Sequence, residues 1–192
     1  MLSLDRAALF LIDWQEGMHD PKWGPRNNLQ AERNAERLLE TWRGLGWPIY
    51  HVQHISREPD SVFRAERPGS ALLPFARPQN SEPLIQKHVN SAFIGTDLED
   101  RLRSAGIGTL VLTGLQSDHC VSTTARMAGN LGFTVYLVED ATATFNRTGH
   151  DGRVYRAEDV HANNLASLNG EFATIVSTEQ VLRLLTPRAP VL

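Results

Sequence analysis

One cysteine, Cys120, stands in a chain of 192 residues. A lone cysteine excludes an intrachain disulfide and any zinc site built from several thiolates. Lysine is nearly as scarce, with Lys22 and Lys87 set against 17 arginines among the 19 basic residues. Long apolar runs are missing too. The longest, Ala7 to Ile12, is far short of the roughly 20 residues a membrane-spanning helix needs. The N-terminus carries no basic segment, apolar core and cleavage site in series, so no secretory signal is read and the expected location is the cytoplasm. The glycosylation pattern Asn146-Arg147-Thr148 then carries no weight. No run of five basic residues occurs and the net charge is −3, which removes the footprint of a nucleic-acid or membrane-surface binder. Internal repeats and low-complexity tracts are absent. With 41% hydrophobic and 21% charged residues, the composition is that of one globular domain over residues 1–192, whose partner is a small molecule.

Ala7 to Ile12 is apolar at every position and ends on a carboxylate, Asp13, the pattern of a strand covered on both faces in a parallel sheet. Apolar residues at Ala31, Ala35, Leu38, Leu39, Trp42 and Leu45, closed by Gly44 and Gly46, predict a helix. Further strands are predicted over Pro48 to Val52, Pro83 to Gln86, Gly108 to Thr113, Phe133 to Val138 and Phe172 to Val176. Helices are predicted from a Thr96–Glu99 capping box to Ala105, from Asp118 to Leu131, from Ala157 to Leu168, and from a Ser177–Gln180 cap to Leu185. Strand and helix alternate. Right-handed crossovers then give a Rossmann-like three-layer α/β/α sandwich around a mostly parallel sheet of about six strands. The segment Ile55 to Asn80, with Pro59, Pro68, Gly69, Pro74 and Pro78, is long enough to be a lid or binding loop.

Ligands of such sheets bind beyond the carboxyl ends of the strands. The chain puts Asp13 after the first strand, His54 after the second, Lys87 after the third, Cys120 after the fourth and Asp140 after the fifth. Cys120 falls in the first turn of its helix, where unpaired N–H groups, the helix dipole and a nearby Lys87 favour a thiolate; an inert core cysteine is the competing reading. Asp13 either caps a loop and pairs with an arginine, or accepts the thiol proton and later protonates a leaving amine. In a chain that habitually uses arginine, a lysine at a buried strand end points to a need for a compact ammonium. His119 adjoins Cys120, but helical neighbours diverge by ~100°, so it is read as pocket lining rather than as a base. His51 and His54, three positions apart in a strand, face opposite sides, which argues against a shared metal. Trp14, Met18, Trp23, Phe63 and Phe93 lie in or near edge loops and are candidates either for an apolar pocket wall or for packing. Arg57, Arg64 and Arg67 are candidates for a substrate carboxylate or for a solvated loop.

Three blocks resemble the signatures of the isochorismatase-like cysteine hydrolases, a family that includes nicotinamidases and N-carbamoylsarcosine amidases. They are Leu11-Ile12-Asp13-Trp14-Gln15, Lys87-His88-Val89-Asn90-Ser91-Ala92-Phe93, and Thr113-Gly114-Leu115-Gln116-Ser117-Asp118-His119-Cys120-Val121-Ser122-Thr123-Thr124-Ala125, in that order. The resemblance runs from about Asp5 to Leu185 and implies the isochorismatase-like hydrolase fold. It also implies an Asp13–Lys87–Cys120 triad, a non-proline cis peptide at Leu115-Gln116, and an oxyanion hole made by the N–H groups of Gln116 and Cys120. The implied reaction is hydrolysis of a C–N bond through a thioester, with no cofactor, in a homo-oligomer (dimer or tetramer). Beside the triad, the candidate substrate contacts are Trp14, Gln15, Met18, His54, Phe63, Phe93 and His119. One departure stands out. Nicotinamidases carry an Asp-x-His metal block after the second strand, where this chain has Gln53-His54-Ile55-Ser56, so no metal is expected and a metal-free amidase acting on an amide, carbamoyl compound or lactam is the leading expectation. Vinyl-ether hydrolysis as in isochorismatase itself, which does not depend on a cysteine nucleophile, and a non-catalytic binding role are the alternatives; Cys120 counts weakly against the former.

Overall fold

The first strand, β1 (Ala8–Ile12), is buried at every position, and the alternation of its side chains divides the interior in two. The computed structural model describes Leu4 and residues 6–185; Asp5 and both ends of the expected domain lie outside the described residues. Leu9 and Leu11 enter one apolar cluster with Leu38, Leu39 and Trp42, whereas Phe10 and Ile12 enter another with Leu98, Leu102 and Leu165. Helices α1 (Ala31–Leu45) and α5 (Thr178–Leu185) cover the first face. Helices α2 (Leu98–Ser104), α3 (Ser122–Asn130) and α4 (Ala157–Leu168) cover the second. The remaining strands are β2 (Ile49–His54), β3 (Leu84–Lys87), β4 (Thr109–Leu115), β5 (Thr134–Ala143), the hairpin β6 (Arg147–Thr148) with β7 (Val154–Tyr155), and β8 (Thr174–Val176).

The six-stranded sheet has the order β3-β2-β1-β4-β5-β8 and every pairing in it is parallel, so the three-layer architecture expected from the alternation of elements is present. Strand order reverses beside β1, and the carboxyl ends of β1, β2, β3 and β4 therefore share one edge. None of the described helices is long and apolar enough to cross a membrane.

Local expectations fare unevenly. Ser177 and Gln180 form a reciprocal box, with Ser177 N donating to Gln180 Oε1 at 2.7 Å and Gln180 N to Ser177 Oγ at 3.2 Å. Thr96 and Glu99 do not: the Thr96 hydroxyl donates to Ala92 O at 2.6 Å, and Glu99 pairs with Arg103 one turn on. Asp140 does not reach the sheet edge, because β5 continues past it to Ala143. Its carboxylate instead accepts from Thr178 N and Oγ1, both at 2.8 Å, tying the start of α5 to the sheet. The helix expected from Asp118 begins as a wide π-turn, Ser117–Val121, before α3 proper.

Candidate active site

At the end of β1 the chain turns sharply, with Asp13 at φ +53° and its N–H donating to Val52 O at 2.9 Å, so the carboxylate is fully buried at the sheet edge. Lys87, the last residue of β3, lies two strands away, and its side chain reaches Asp13 across that gap. Cys120 arrives from the other side, in the π-turn after β4. That turn is brought close to β1 by Gly114, where φ is +135° and any Cβ would stand 2.0 Å from Ile12 O, so glycine is required. The following Leu115-Gln116 peptide is cis.

Three side chains remote in sequence thus meet around one ammonium. Lys87 Nζ donates to Asp13 Oδ2 at 2.7 Å and to Cys120 Sγ at 3.2 Å, and lies 3.3 Å from His54 Nδ1. An ammonium has donors only, so His54 Nδ1 acts as acceptor and its proton sits on Nε2. Burial, and then the Lys87 charge, hold the His54 imidazole below its ordinary range, which keeps it neutral. Asp13 Oδ1 is buried and has no hydrogen-bond partner.

The charge balance of the cluster differs from the thiolate expectation. Burial pushes the Cys120 thiol up, the Asp13 carboxylate adds to this, and Lys87 opposes both without outweighing them. Burial also works against the Lys87 ammonium, but the Asp13 carboxylate and the sulfur outweigh it and raise its pKa. These influences favour the protonated thiol of Cys120 beside the Lys87 ammonium. A turn's dipole does not offset the loss of water around a cysteine only 8% exposed.

Asp13, His54 and Cys120 offer metal-ligand atoms within 4.8 Å of one another. Lys87 Nζ lies 2.7 to 3.3 Å from all three side chains, so a divalent ion there would stand against a fixed positive charge.

Above the cluster lies a cavity of about 230 Å³. Of the candidate contacts, Met18, His54, Phe63 and His119 line it. Phe63 stacks on Trp23 with ring centroids 6.1 Å apart and meets His54 edge-on, forming an aromatic wall. His119 sits at the mouth, its side chain 52% exposed and 3.6 Å from Asp118.

Three candidates lie elsewhere. Trp14 is fully buried in the first cluster, donating to Thr113 Oγ1 at 3.3 Å, because the turn at Asp13 sends it beneath the sheet. Gln15 is a clamp: it accepts from His54 N at 2.8 Å and donates to His54 O and Ser70 O at 3.0 and 2.8 Å, locking the 55–80 segment to β2. Phe93 stacks on Phe133 against the second cluster. Arg67 and Arg64 brace their own loop, Arg67 through Asp60 O and Pro59 O and Arg64 through Glu66 and Arg57 O.

Asn90 and Trp23 complete the lining, with Asn90 Oδ1 3.9 Å from Cys120 Sγ. Asn90 sits three positions after Lys87 in the second sequence block, and that spacing was its signal. The Gln116 side chain also faces the cavity, held by Arg147, and nothing local in the sequence marks that pairing.

The chain matches the isochorismatase domain over residues 7–180. It is 46% identical over 178 residues to the uncharacterized isochorismatase family protein YrdC of Bacillus subtilis strain 168, covering 93% of this chain and 95% of that one. With nicotinamidase 3 of Arabidopsis thaliana it shares 33% identity over 192 residues, covering 93% and 88% of the two chains. A crystal structure of an isochorismatase-family protein from Chromobacterium violaceum ATCC 12472 superposes with a TM-score of 0.92 at 45% identity, over 95% of each chain.

Proposed function

The chain belongs to the isochorismatase family, and from that premise we propose that this hydrolase cleaves a carbon–nitrogen bond of a small amide, carbamoyl compound or lactam, with Cys120 as nucleophile. The observation that carries the reading is the bare Oδ1 of Asp13, a buried acceptor in the cluster that Lys87 ties to Cys120, where burial favours the protonated thiol.

As sulfur attacks the substrate carbonyl carbon, Asp13 Oδ1 takes the thiol proton. Coupling the two events avoids forming a free thiolate in a site that disfavours one. Lys87 stays bound to Asp13 Oδ2 and faces the sulfur, so its charge compensates the negative charge that passes from carboxylate to sulfur and then to the carbonyl oxygen. The N–H groups of Gln116 and Cys120, at the open start of the π-turn, receive that oxyanion. Asp13 returns the proton to the leaving nitrogen, the C–N bond breaks, and a thioester remains. Water then loses a proton to Asp13 and attacks the thioester, which releases the acid and restores the thiol. His54 holds the third donor of Lys87 and so fixes where the ammonium points. A cavity of about 230 Å³, below the roughly 300–1,000 Å³ usual for drug-sized ligands, calls for a small substrate.

The test is nitrogen release over a panel of small amides, carbamoyl compounds and lactams, with Cys120→Ala as the blank and intact mass after acid quench to trap the acyl-enzyme. Release that needs Cys120, accompanied by an acyl adduct on it, is the expected result. Hydrolysis that survives Cys120→Ala, or a vinyl ether cleaved in place of every amide, would overturn the proposal.

A further inference from the structure

Gln116 is 4% exposed, and its side chain lines the same cavity as Cys120. Which end of its carboxamide faces the cavity is decided by charge. Arg147 Nη2 donates to Gln116 Oε1 at 2.5 Å, and a guanidinium has donors only, so the carbonyl must face Arg147 and the NH₂ must face away. Arg147 is itself immobilised. Its Nε donates to Asp118 Oδ2 at 2.8 Å and its Nη2 to Asp118 Oδ1 at 3.1 Å, while Thr144 bonds both partners. A forked pair of this kind fixes direction as well as distance.

The NH₂ end is poorly matched. Among the described residues the acceptor it reaches is Met18 Sδ, at 4.0 Å, and a thioether is a weak acceptor. A buried amide donor set against sulfur retains most of its hydrogen-bonding capacity for an incoming group. Two other donors around the cavity are committed elsewhere. Trp23 spends its indole N–H on Gly17 O at 2.7 Å and presents only its ring, and the Lys87 ammonium is engaged by Asp13, Cys120 and His54. No unpaired cation among the described lining residues awaits an anionic substrate.

We infer that Gln116, oriented by Arg147, is a specificity-determining residue. Its side-chain NH₂ hydrogen-bonds an acceptor, a carbonyl oxygen or a ring nitrogen, on the body of a small, flat, uncharged substrate, at a point separate from the reacting carbonyl. The inference rests on the reading that Cys120 is the nucleophile in this cavity. Arg147 acts through Gln116 and is a positioning residue. A site built around a donor rejects the analogue that lacks the matching acceptor more strongly than an apolar pocket rejects a size change, because the donor is then left buried and unmatched.

A matched set of covalent probes reads this without knowledge of the natural substrate. N-phenyl-2-chloroacetamide and its three pyridyl analogues each alkylate the thiol with loss of chloride, and they differ only in whether, and where, the ring carries an acceptor. The readout is the rate of Cys120 labelling by intact mass, divided by the rate with glutathione so that intrinsic reactivity cancels. In the wild-type protein at least one pyridyl isomer labels about ten-fold faster than the phenyl probe. The ratio falls to about one in Gln116→Met, which keeps the bulk and removes the donor, and falls part of the way in Arg147→Lys, which keeps the charge and loses the fork. Ratios near one for all three isomers in the wild type, or a ratio that survives in Gln116→Met, overturn the inference. A ratio lost in Gln116→Met but unchanged in Arg147→Lys overturns the orienting role alone. Cys120-dependent nitrogen release with flat ratios defeats this inference and leaves the functional reading standing; a steep ratio without such release does the reverse.

Discussion

Strand β2 carries two histidines to two ionic clusters, one fully buried and one partly exposed, and their carboxylates are finished differently. At His51, Glu82 accepts from Arg43 Nε and Nη2, both at 2.8 Å, from His51 Nε2 at 2.7 Å and from Gln79 N at 2.8 Å. At His54, three positions on and on the opposite face, Asp13 accepts Lys87 on one oxygen and leaves the other bare. Both pair a carboxylate with a cation, so charge alone does not tell the clusters apart; exposure differs, with the Asp13 and Lys87 side chains at 0% against 14% for Glu82 and 21% for Arg43. The carboxylates also differ in saturation, although His51 Nδ1 beside Glu82 is, like Asp13 Oδ1, buried without a partner. Both Glu82 oxygens already accept, and the burial that would raise its carboxyl is outweighed by Arg43 and the other donors, which hold it down to about 2. Asp13 keeps one acceptor free beside the only thiol in the chain.

Mutations should separate the two clusters cleanly. The largest effect is expected from Lys87→Arg. The charge is kept, but a planar fork cannot occupy the space among Asp13, Cys120 and His54, and Cys120-dependent turnover should fall by about 100-fold or more while the fold persists by circular dichroism. Turnover within a few-fold of wild type would remove Lys87 from the reacting centre.

A smaller effect of another kind is expected from Glu82→Gln. Two donors of Arg43 and one of His51 lose a charged acceptor, and chemical denaturation should show a loss of about 1–3 kcal/mol with kcat and KM unchanged. The pH dependence sharpens this. Glu82 is held at about 2 against an ordinary 4.5, so its contribution to stability is fully present above about pH 4.5 and is lost as pH falls towards 2. The stability difference between wild type and Glu82→Gln should thus be flat at neutral pH and close over that acidic window. A gap that persists unchanged at low pH would assign the loss to packing instead.

How far the sequence could lead follows the same division. The unbroken apolar run of β1, the spacing of α1 and the positions of Asp13, Lys87 and Cys120 at strand ends are local patterns, and each is where its pattern puts it. What escaped was set by context. Asp140 follows an apolar run just as Asp13 does, but β5 carries on beyond it because its partner β4 also runs on, through the irregular step between Leu112 and Gly114, to Leu115. Trp14 and Gln15 stand next to a site residue in sequence, yet the left-handed turn at Asp13 sends one beneath the sheet and makes the other a clamp. The protonation of Cys120 depends on how much water the fold removes, which helix position alone does not report. The Arg147–Gln116 contact joins residues 31 positions apart, one just past β4 and the other in β6, with no periodicity to betray it.

The central claim is that Cys120 rests as a thiol and passes its proton to Asp13. The most direct test is the rate of Cys120 alkylation by iodoacetamide against pH, in wild type and in Asp13→Asn. The account predicts slow labelling of the wild type at neutral pH, a labelling profile displaced to lower pH in Asp13→Asn because the anion that holds the thiol up is gone, and loss of turnover in that variant despite its more reactive sulfur. Rapid labelling of the wild type at pH 6, or an Asp13→Asn enzyme that labels like the wild type and still turns over, would contradict it.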